Sequence, residues 1–541
     1  MTSKQLISRR RFIKQTGMTA SSIAILNFLS SCASGKRKPN IIFYIADDMR
    51  PEMFNCLPEG RGKNLTPNID RLAEEGTMMM GQHVASPVCT PSRFNCLTGR
   101  YASRAVNDEF IGFTKKQQGQ TVIQWNSFIT DQDETLPRFL QRAGYKTGMV
   151  GKNHVVEVKD LHFFSDYQLD PADPGVKKHL YNNSKKIRTA IRNIGFDYVA
   201  NVYHNNPDFI GLGKLAVQNL DWITQGGLDF IDQAGDAPFF LYFATTVPHH
   251  PEEPERSWNA DPLITADGYL EKTVECMPPR HTIPERTKAA GLSGKNKENM
   301  LWLDDSLGAL INKLEEHGLT EDTLIFFFND HGQLAKGTVY QGGVYNPSIV
   351  WKKGGFPCGP VCDALVSNID FAPTILDMAG IQAAETHFDG ISFYPALMGE
   401  KPQTQRVLYF ELGFVRGIRK GEWKYIALRY PEYARNMTLK ERQRVLDAYN
   451  EDRRFRNMPI VNTDPSKPFS HLEVLPGGGH AEFESTGKYA GYYDADQLYH
   501  LAEDPEEQNN LAKEPAFQDK LRELKSDLKK ILDQLPGQFA L

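Results

Sequence analysis

Asn40-Ile41-Ile42-Phe43-Tyr44-Ile45-Ala46-Asp47-Asp48 is a nearly unbroken apolar run, rich in β-branched and aromatic residues, that stops on two acids. A strand with one wet face alternates polar and apolar residues. This one does not, so both of its faces must be covered, as in a parallel sheet packed between helices. Residues 323–328 repeat the pattern and run into Asn329-Asp330-His331-Gly332, and residues 239–244 lead into Pro248-His249-His250-Pro251. A weaker run at 146–150 precedes Gly151-Lys152-Asn153-His154. Helical patterns lie between them at 66–75, at 134–143 with Leu136, Phe139, Leu140 and Ala143 on one face, and at 300–316. The expectation is an α/β fold with a large, mostly parallel sheet flanked by helices. In such sheets ligands bind beyond the carboxyl ends of the strands, where all four polar clusters fall.

Composition agrees with a large enzyme-like core. The 541 residues are 40% hydrophobic, 24% charged and 11% aromatic, which excludes a disordered, collagenous or coiled-coil chain. The net charge of −5 gives no general attraction to nucleic acid, so a polyanionic partner needs a local basic pocket. Seven cysteines are too few for a disulfide scaffold. Taken singly, each strand-end cluster has an ordinary reading. Asp-Asp caps helices, Pro-His-His-Pro stiffens loops, Gly-Lys sits in water and Asp-His-Gly makes turns. Convergence is what changes the reading. Buried acids need a cation, and Asp47, Asp48 and Asp330 with His331 suggest a divalent metal.

Cys89-Thr90-Pro91-Ser92-Arg93, followed by Leu97-Thr98-Gly99-Arg100, resembles the signature of the type I, formylglycine-dependent sulfatases of the alkaline phosphatase superfamily. The resemblance extends from Pro39 to Leu511. It includes Thr66 to Gly76, Gly151-Lys152-Asn153-His154, Pro248-His249, Lys336-Gly337-Thr338, Gly342-Gly343, Asp370 to Thr374 and Gln497 to Leu501. The Asp47-Asp48-Met49-Arg50-Pro51 start and the Asp330-His331 pair are most similar to the iduronate-2-sulfatase-like branch. The resemblance implies that a maturation enzyme oxidises Cys89 to formylglycine (3-oxoalanine). It implies that Arg93 holds the hydrated aldehyde, that His154 is the base that releases sulfate, and that Lys152, Lys336 and His249 bind the sulfate oxygens, with His249 or Lys336 protonating the leaving alcohol. Asp47, Asp48, Asp330 and the modified Cys89 then form a hard oxygen set for Ca²⁺, with Mg²⁺ as the alternative. His331 departs from the family pattern, where many members carry Asn, and sits either on the metal or just behind it.

The first forty residues read as a targeting segment. Ser8-Arg9-Arg10-Arg11-Phe12-Ile13-Lys14, a short apolar stretch and Leu29-Ser30-Ser31-Cys32 resemble a twin-arginine export signal ending in a lipobox. This implies an exported lipoprotein acylated at Cys32 and anchored to a membrane in the periplasm or outer membrane of a Gram-negative bacterium. The expected domains are a signal and tether at 1–38, a catalytic domain at 39–399 and a C-terminal subdomain at 400–541. In the last, short strands at 407–410, 414–419 and 423–428 form an antiparallel sheet under a helix at 513–532, and a charged helix covers 436–456. Gly477-Gly478-Gly479-His480 reads as a mobile loop. Once Cys32 and Cys89 are set aside, Cys56, Cys96, Cys276, Cys358 and Cys362 form at most two disulfides.

The leading expectation is hydrolysis of sulfate esters on carbohydrate, such as glycosaminoglycan or algal ulvan, carrageenan or fucoidan. A phosphonate or phosphodiester hydrolase on the same scaffold and a catalytically silent glycan-binding lipoprotein are the alternatives. The filled set of charged site positions argues against the silent protein. Trp125, His204, Arg416 and His480 lie in variable segments and are candidates for choosing the sugar, each against a structural role.

Overall fold

The computed structural model describes residues 37–383, 387–401, 406–455, 460, 462–472 and 487–541. Residues 1–36, which include the expected targeting segment and Cys32, and residues 473–486, which include His480, lie outside the described residues.

Eight strands build the central sheet: β1 (Asn40–Asp47), β2 (Thr77–Met79), β3 (Lys146–Asn153), β4 (Tyr198–His204), β5 (Phe239–Pro248), β6 (Thr323–Asn329), β7 (Ser348–Lys352) and β8 (Val361–Cys362). Their spatial order is β8-β2-β7-β6-β1-β5-β3-β4, and β7 alone runs against the others. The opening run is therefore central, paired with β5 on one side and β6 on the other. All of its residues are buried. Its pleat divides them between two cores: Ile41, Phe43 and Ile45 face one side, Ile42, Tyr44 and Ala46 the other. Phe43 packs edge-on against Phe240, Phe326, Phe328 and Phe371, while Tyr44 stacks between Phe243 and Phe327 at 5.0 and 5.5 Å. Burying each such ring contributes about 1.5–3 kcal/mol, and this anchors the strand whose end carries the acids.

The helices α1 (Pro67–Glu75), α2 (Cys89–Thr98), α3 (Leu136–Arg142), α4 (Pro174–Asn193), α5 (Leu220–Ala234), α6 (Lys297–Glu316) and α7 (Phe371–Met378) are spaced along this unit. The expected helices appear as α1, α3 and α6. Elements that the pattern did not reveal have physical reasons for being hidden. Helix α2 is buried on every side and so has no polar face to betray a period, and α5 is buried along most of its length. Helix α1 starts without a side-chain cap bond from Thr66, whose carbonyl accepts from Asp70 N at 2.9 Å. Its first amides are instead capped across the fold by Asp304 of α6, whose carboxylate accepts from Asn68 N at 3.1 Å and Ile69 N at 2.8 Å.

Four antiparallel strands follow: β9 (Val407–Leu412), β10 (Val415–Lys420), β11 (Trp423–Leu428) and β12 (Asp496–His500). Helix α8 (Gln518–Leu532) buries Leu521, Leu524 and Leu528 against Tyr409, Ile418, Tyr425 and Leu498 of that sheet. It starts five residues later than the pattern suggested, because Leu511–Lys513 and Pro515–Phe517 form separate 3₁₀ turns. The charged helix expected at 436–456 is present as Leu439–Phe455. Among the described residues Cys56, Cys89, Cys96, Cys276, Cys358 and Cys362 are all free thiols.

Candidate active site

The ends of β1 and β6 lie side by side, with Ala46 opposite Asn329, so the residues that follow each strand are brought together. The Asp330 amide donates to Ala46 O at 3.1 Å. Asn329 clamps the two turns: its Oδ1 accepts from Met49 N at 2.8 Å and its Nδ2 donates to Met49 O at 2.9 Å. Asp48 takes a left-handed φ of 62°, a conformation that aspartate tolerates better than most residues, and its amide donates to Asp330 Oδ1 at 3.3 Å. Asp47, Asp48 and Asp330 thus converge from two neighbouring strand ends, as the sequence pattern implied.

Lysine 152 arrives by a different device. The run expected to stop at Val150 continues to Asn153, so Lys152 lies inside β3, not beyond it. The strand bulges between Val150 and Gly151. Gly151 has φ 84°, and a Cβ there would stand 1.8 Å from Ala244 O, so only glycine fits. Beyond the bulge the fully buried Lys152 Nζ reaches Asp47 Oδ2 at 2.5 Å. Lys336 spans both oxygens of Asp48 at 2.6 and 2.7 Å, and His249 Nε2 lies 3.4 Å from Asp48 Oδ2.

Cys89 is the first residue of α2 and is buried. Backbone amides at a helix start favour negative charge, which suits a site for an anionic ester. One turn on, Arg93 Nη2 bridges Asp47 Oδ1 at 3.1 Å and Asp330 Oδ2 at 3.2 Å. Among the described residues its Nε and Nη1 are buried without a hydrogen-bond partner, as is His154 Nδ1. Such groups are costly unless a bound anion or oxygen engages them. The helix is pinned by two residues that motif reading left without a role. Ser92 Oγ donates to the Asp330 carbonyl, and Asn368 Nδ2 donates to Ser92 Oγ at 2.9 Å and Ser92 O at 3.1 Å. Ser92 was visible inside the signature; nothing marked Asn368.

The charges reinforce one another. Burial alone would raise the Asp47 carboxyl, but Lys152, His249 and Arg93 outweigh it and hold the group well below the ordinary carboxylate range. Burial likewise opposes ionisation of Asp48, and Lys336, His249 and His331 overcome it. Burial, then Lys152 and Arg93, push His154 well below the usual histidine value, so its imidazole is neutral and can accept a proton.

Two sets of side chains could hold a metal ion, Asp47–Cys89–Asp330 and Asp48–Cys89–His331, with the ligand atoms of each set within 4.8 Å of one another. Both share Cys89. Carboxylate oxygens dominate, which suits a hard divalent cation, and His331 is the exception. Its Nε2 lies 3.2 Å from Asp48 Oδ1 and 3.4 Å from Cys89 Sγ, and its Nδ1 lies 3.1 Å from Gly332 O.

Of the residues expected to choose the sugar, Arg416 is buried, with its guanidinium donating to Gly413 O, Val415 O and Thr121 O. That is a structural role. Trp125 packs partly buried against the core. His204 ends β4 with Nδ1 3.2 Å from Asn153 Nδ2, next to His154, and burial pushes its imidazole down to about 4.

A helix-borne nucleophile beside acids that can hold a metal, ringed by lysine, arginine and histidine at the end of a mostly parallel sheet, defines a metal-assisted hydrolase for anionic esters. Comparison with known proteins makes the class specific. The pattern described as "Sulfatase" matches residues 39–381, and "N-sulphoglucosamine sulphohydrolase, C-terminal" matches residues 329–434. The chain belongs to the sulfatase family and is a sulfuric ester hydrolase. It is 25% identical over 424 residues to the N-acetylgalactosamine-6-sulfatase of Mus musculus, covering 74% of each chain. It is 26% identical to the choline-sulfatase of Rhizobium meliloti (strain 1021), covering 72% of this chain and 78% of that one. Two solved structures share the fold. A Bacteroides thetaiotaomicron protein described in connection with glycosaminoglycan metabolism has TM-score 0.59 at 21% identity, covering 92% of this chain and 99% of that one. A protein solved with its substrate D-glucosamine-2-N,6-O-disulfate has TM-score 0.55 at 18% identity, covering 92% and 98%. The family implies a modified cysteine and a divalent metal.

Proposed function

We propose that the protein removes sulfate from carbohydrate esters, with Cys89 acting after oxidation to formylglycine. The observation that carries this reading is the setting of Cys89, a buried helix start whose side chain is common to both acid sets. An ordinary thiol could take up sulfate only to be trapped. A hydrated aldehyde has two hydroxyls. One, having lost its proton to solvent, attacks sulfur as the S–O bond to the sugar breaks, and His249 or Lys336 gives the departing oxygen its proton. The second hydroxyl then loses its proton to neutral His154, the C–O bond to sulfate breaks, and the aldehyde returns. Arg93 holds the diol oxygens, and Lys152 with Lys336 takes the sulfate oxygens. Asp47, Asp48 and Asp330, with His331 at the edge, would hold Ca²⁺, or Mg²⁺ in its place, which would supply positive charge against the sulfate and lower the pKa of a nearby hydroxyl.

Carbohydrate as the alcohol is supported by relatives named for N-acetylgalactosamine 6-sulfate, and by fold neighbours solved with a glucosamine disulfate and with a neocarrahexaose. The proposal includes the iduronate-2-sulfatase-like branch, on the Asp47 to Pro51 and Asp330-His331 segments, and export with lipid attachment at Cys32 by the maturation route of bacterial lipoproteins. The test is peptide mass spectrometry of active protein combined with a desulfation screen of defined oligosaccharides beside a phosphodiester. Aldehyde at position 89, sulfate release and loss of both in Cys89→Ala are expected. An intact thiol in active material, or faster turnover of the phosphodiester, overturns the reading.

A further inference from the structure

Helix α4 carries Lys177, Lys178, Lys185, Lys186, Arg188 and Arg192 over twenty residues and no acid at all, in a chain whose net charge is −5. Its apolar side, Val176, Leu180, Ile187 and Ile191, is buried, so the basic side alone meets solvent. Lys177, Tyr181, Lys185, Arg188 and Arg192 recur at three- and four-residue spacing and form one stripe. That stripe is about 22 Å long at the α-helical rise.

The stripe lines a hollow of about 460 Å³ together with Tyr269, which belongs to a short hairpin of Ile264–Thr265 and Gly268–Tyr269. Tyr181 is 70% and Tyr269 44% exposed. One acid, Asp267, enters the lining and is paired with Arg188 at 2.7 Å. Lys177, Lys185 and Arg192 form no ion pair among the described residues. Like charges three and four residues apart on a helix destabilise it, and Lys177 and Lys178 near its start also oppose the helix dipole. A solvated surface helix would ordinarily relieve this with glutamate or aspartate. A second hollow, which shares Lys185 with the first, adds Lys186 beside the stacked rings of His162 and His179 at 3.8 Å, while its Lys159 is paired with Asp108 at 2.9 Å.

We infer that this helix is a docking surface for a sulfated or uronic polysaccharide, separate from the active site and holding the polymer whose esters that site cleaves. The inference rests on the carbohydrate reading given above. Cations in a row take the regularly spaced anionic groups of such a chain, and exposed tyrosine rings in the groove offer flat apolar faces to the sugar rings between them. A membrane surface is the poorer fit. Helices that lie on bilayers present apolar side chains to the lipid, and here those side chains are already buried.

The test uses the full-length protein in affinity electrophoresis through gels containing heparin, ι-carrageenan or neutral dextran, with double-stranded DNA and anionic vesicles as competing probes. The triple variant Lys177→Ser, Lys185→Ser, Arg192→Ser is expected to bind the sulfated polymers at least about tenfold more weakly, and its log–log salt dependence to fall by about one unit per cation lost. Tyr181→Ala with Tyr269→Ala is expected to weaken polymer binding without changing the salt slope. Release of sulfate from 4-nitrophenyl sulfate reads the active site separately. If the unaltered protein releases sulfate neither from this ester nor from any defined oligosaccharide, the proposed function fails; if sulfate is released and the triple variant still binds polymer as before, the docking inference fails. DNA or vesicles competing as well as polysaccharide also overturn it. Should the triple variant not fold, Lys185→Ser and Arg192→Ser singly must each lower the slope by about one unit.

Discussion

Arg93 offers a sharp test of how the site holds its acids. It is 1% exposed and its Nη2 bridges Asp47 and Asp330. Removing one partner of a buried ion pair costs about 3–5 kcal/mol, because the other charge is left without compensation. The loss in Arg93→Ala falls unevenly. Asp47 keeps Lys152 at 2.5 Å, whereas the next cationic group to Asp330 is His331 at 3.7 Å. The lower end of that range, about 3 kcal/mol, is therefore expected in chelator. A divalent ion on the same carboxylates replaces the missing charge, so the gap to the unaltered protein is expected to narrow when calcium is added. Urea unfolding followed by far-ultraviolet circular dichroism, with EDTA and then with excess calcium, measures both quantities. Turnover is expected to drop at least about 100-fold even with calcium, since the donor proposed to hold the reacting oxygens is gone. An Arg93→Ala protein that unfolds at the same urea concentration as its parent in EDTA, or whose deficit is unchanged by calcium, refutes the reasoning.

Other variants probe other links. Gly151→Ala is expected to reduce turnover severely, because the new Cβ collides with Ala244 O and displaces Lys152; full activity in a sulfate-release assay contradicts this. Exhaustive chelation is expected to abolish turnover and lower the melting temperature, with calcium restoring both; recovery with zinc but not calcium contradicts the oxygen-rich ligand reading. Burial raises the Asp304 carboxyl to about 7, so its protonated form is favoured in the fold and its stabilising contribution is lost as pH climbs from about 4 through 7. The stability difference between the parent and Asp304→Asn is therefore expected to shrink over that interval by at most about 4 kcal/mol, and a difference independent of pH in denaturation curves excludes the effect. Lys424 and Glu507 form a fully buried pair at 2.8 Å, and the Glu507 carboxylate accepts from the backbone amide of Gln341, five residues after Lys336. Glu507→Gln is expected to raise KM for sulfate esters more than it lowers kcat, through the Lys336 loop; wild-type KM with reduced stability reduces Glu507 to a structural role.

The local sequence carried the strand cores and the chemistry at their ends. Residues 40–46, 239–244 and 323–328 are apolar on both faces, and that pattern admits little besides a buried parallel strand. The Cys89 to Arg93 signature likewise announces its chemistry in five consecutive residues. Periodicity could not show α2, buried all round, whereas α4 does carry an apolar stripe, Val176, Leu180, Ile187 and Ile191, that the reading passed over. Lys152 was seen as a site residue but placed after its strand, because a bulge depends on what lies beside Gly151, the Ala244 carbonyl.

What the chain determined by itself is therefore the type of sheet, the residues able to carry sulfate chemistry and the end of the sheet at which they gather. The tertiary structure decided which cation meets which acid. Arg93 spans Asp47 and Asp330, Lys152 takes Asp47, and Lys336 takes Asp48. It also decided that Arg416 serves the fold and that Asn329, Ser92 and Asn368 hold the site in place. The physical reason is range. Apolar runs and motifs act over a few neighbouring residues, whereas these pairs join groups tens to hundreds of positions apart, and strand register, bulges and helix packing alone bring them within hydrogen-bonding distance.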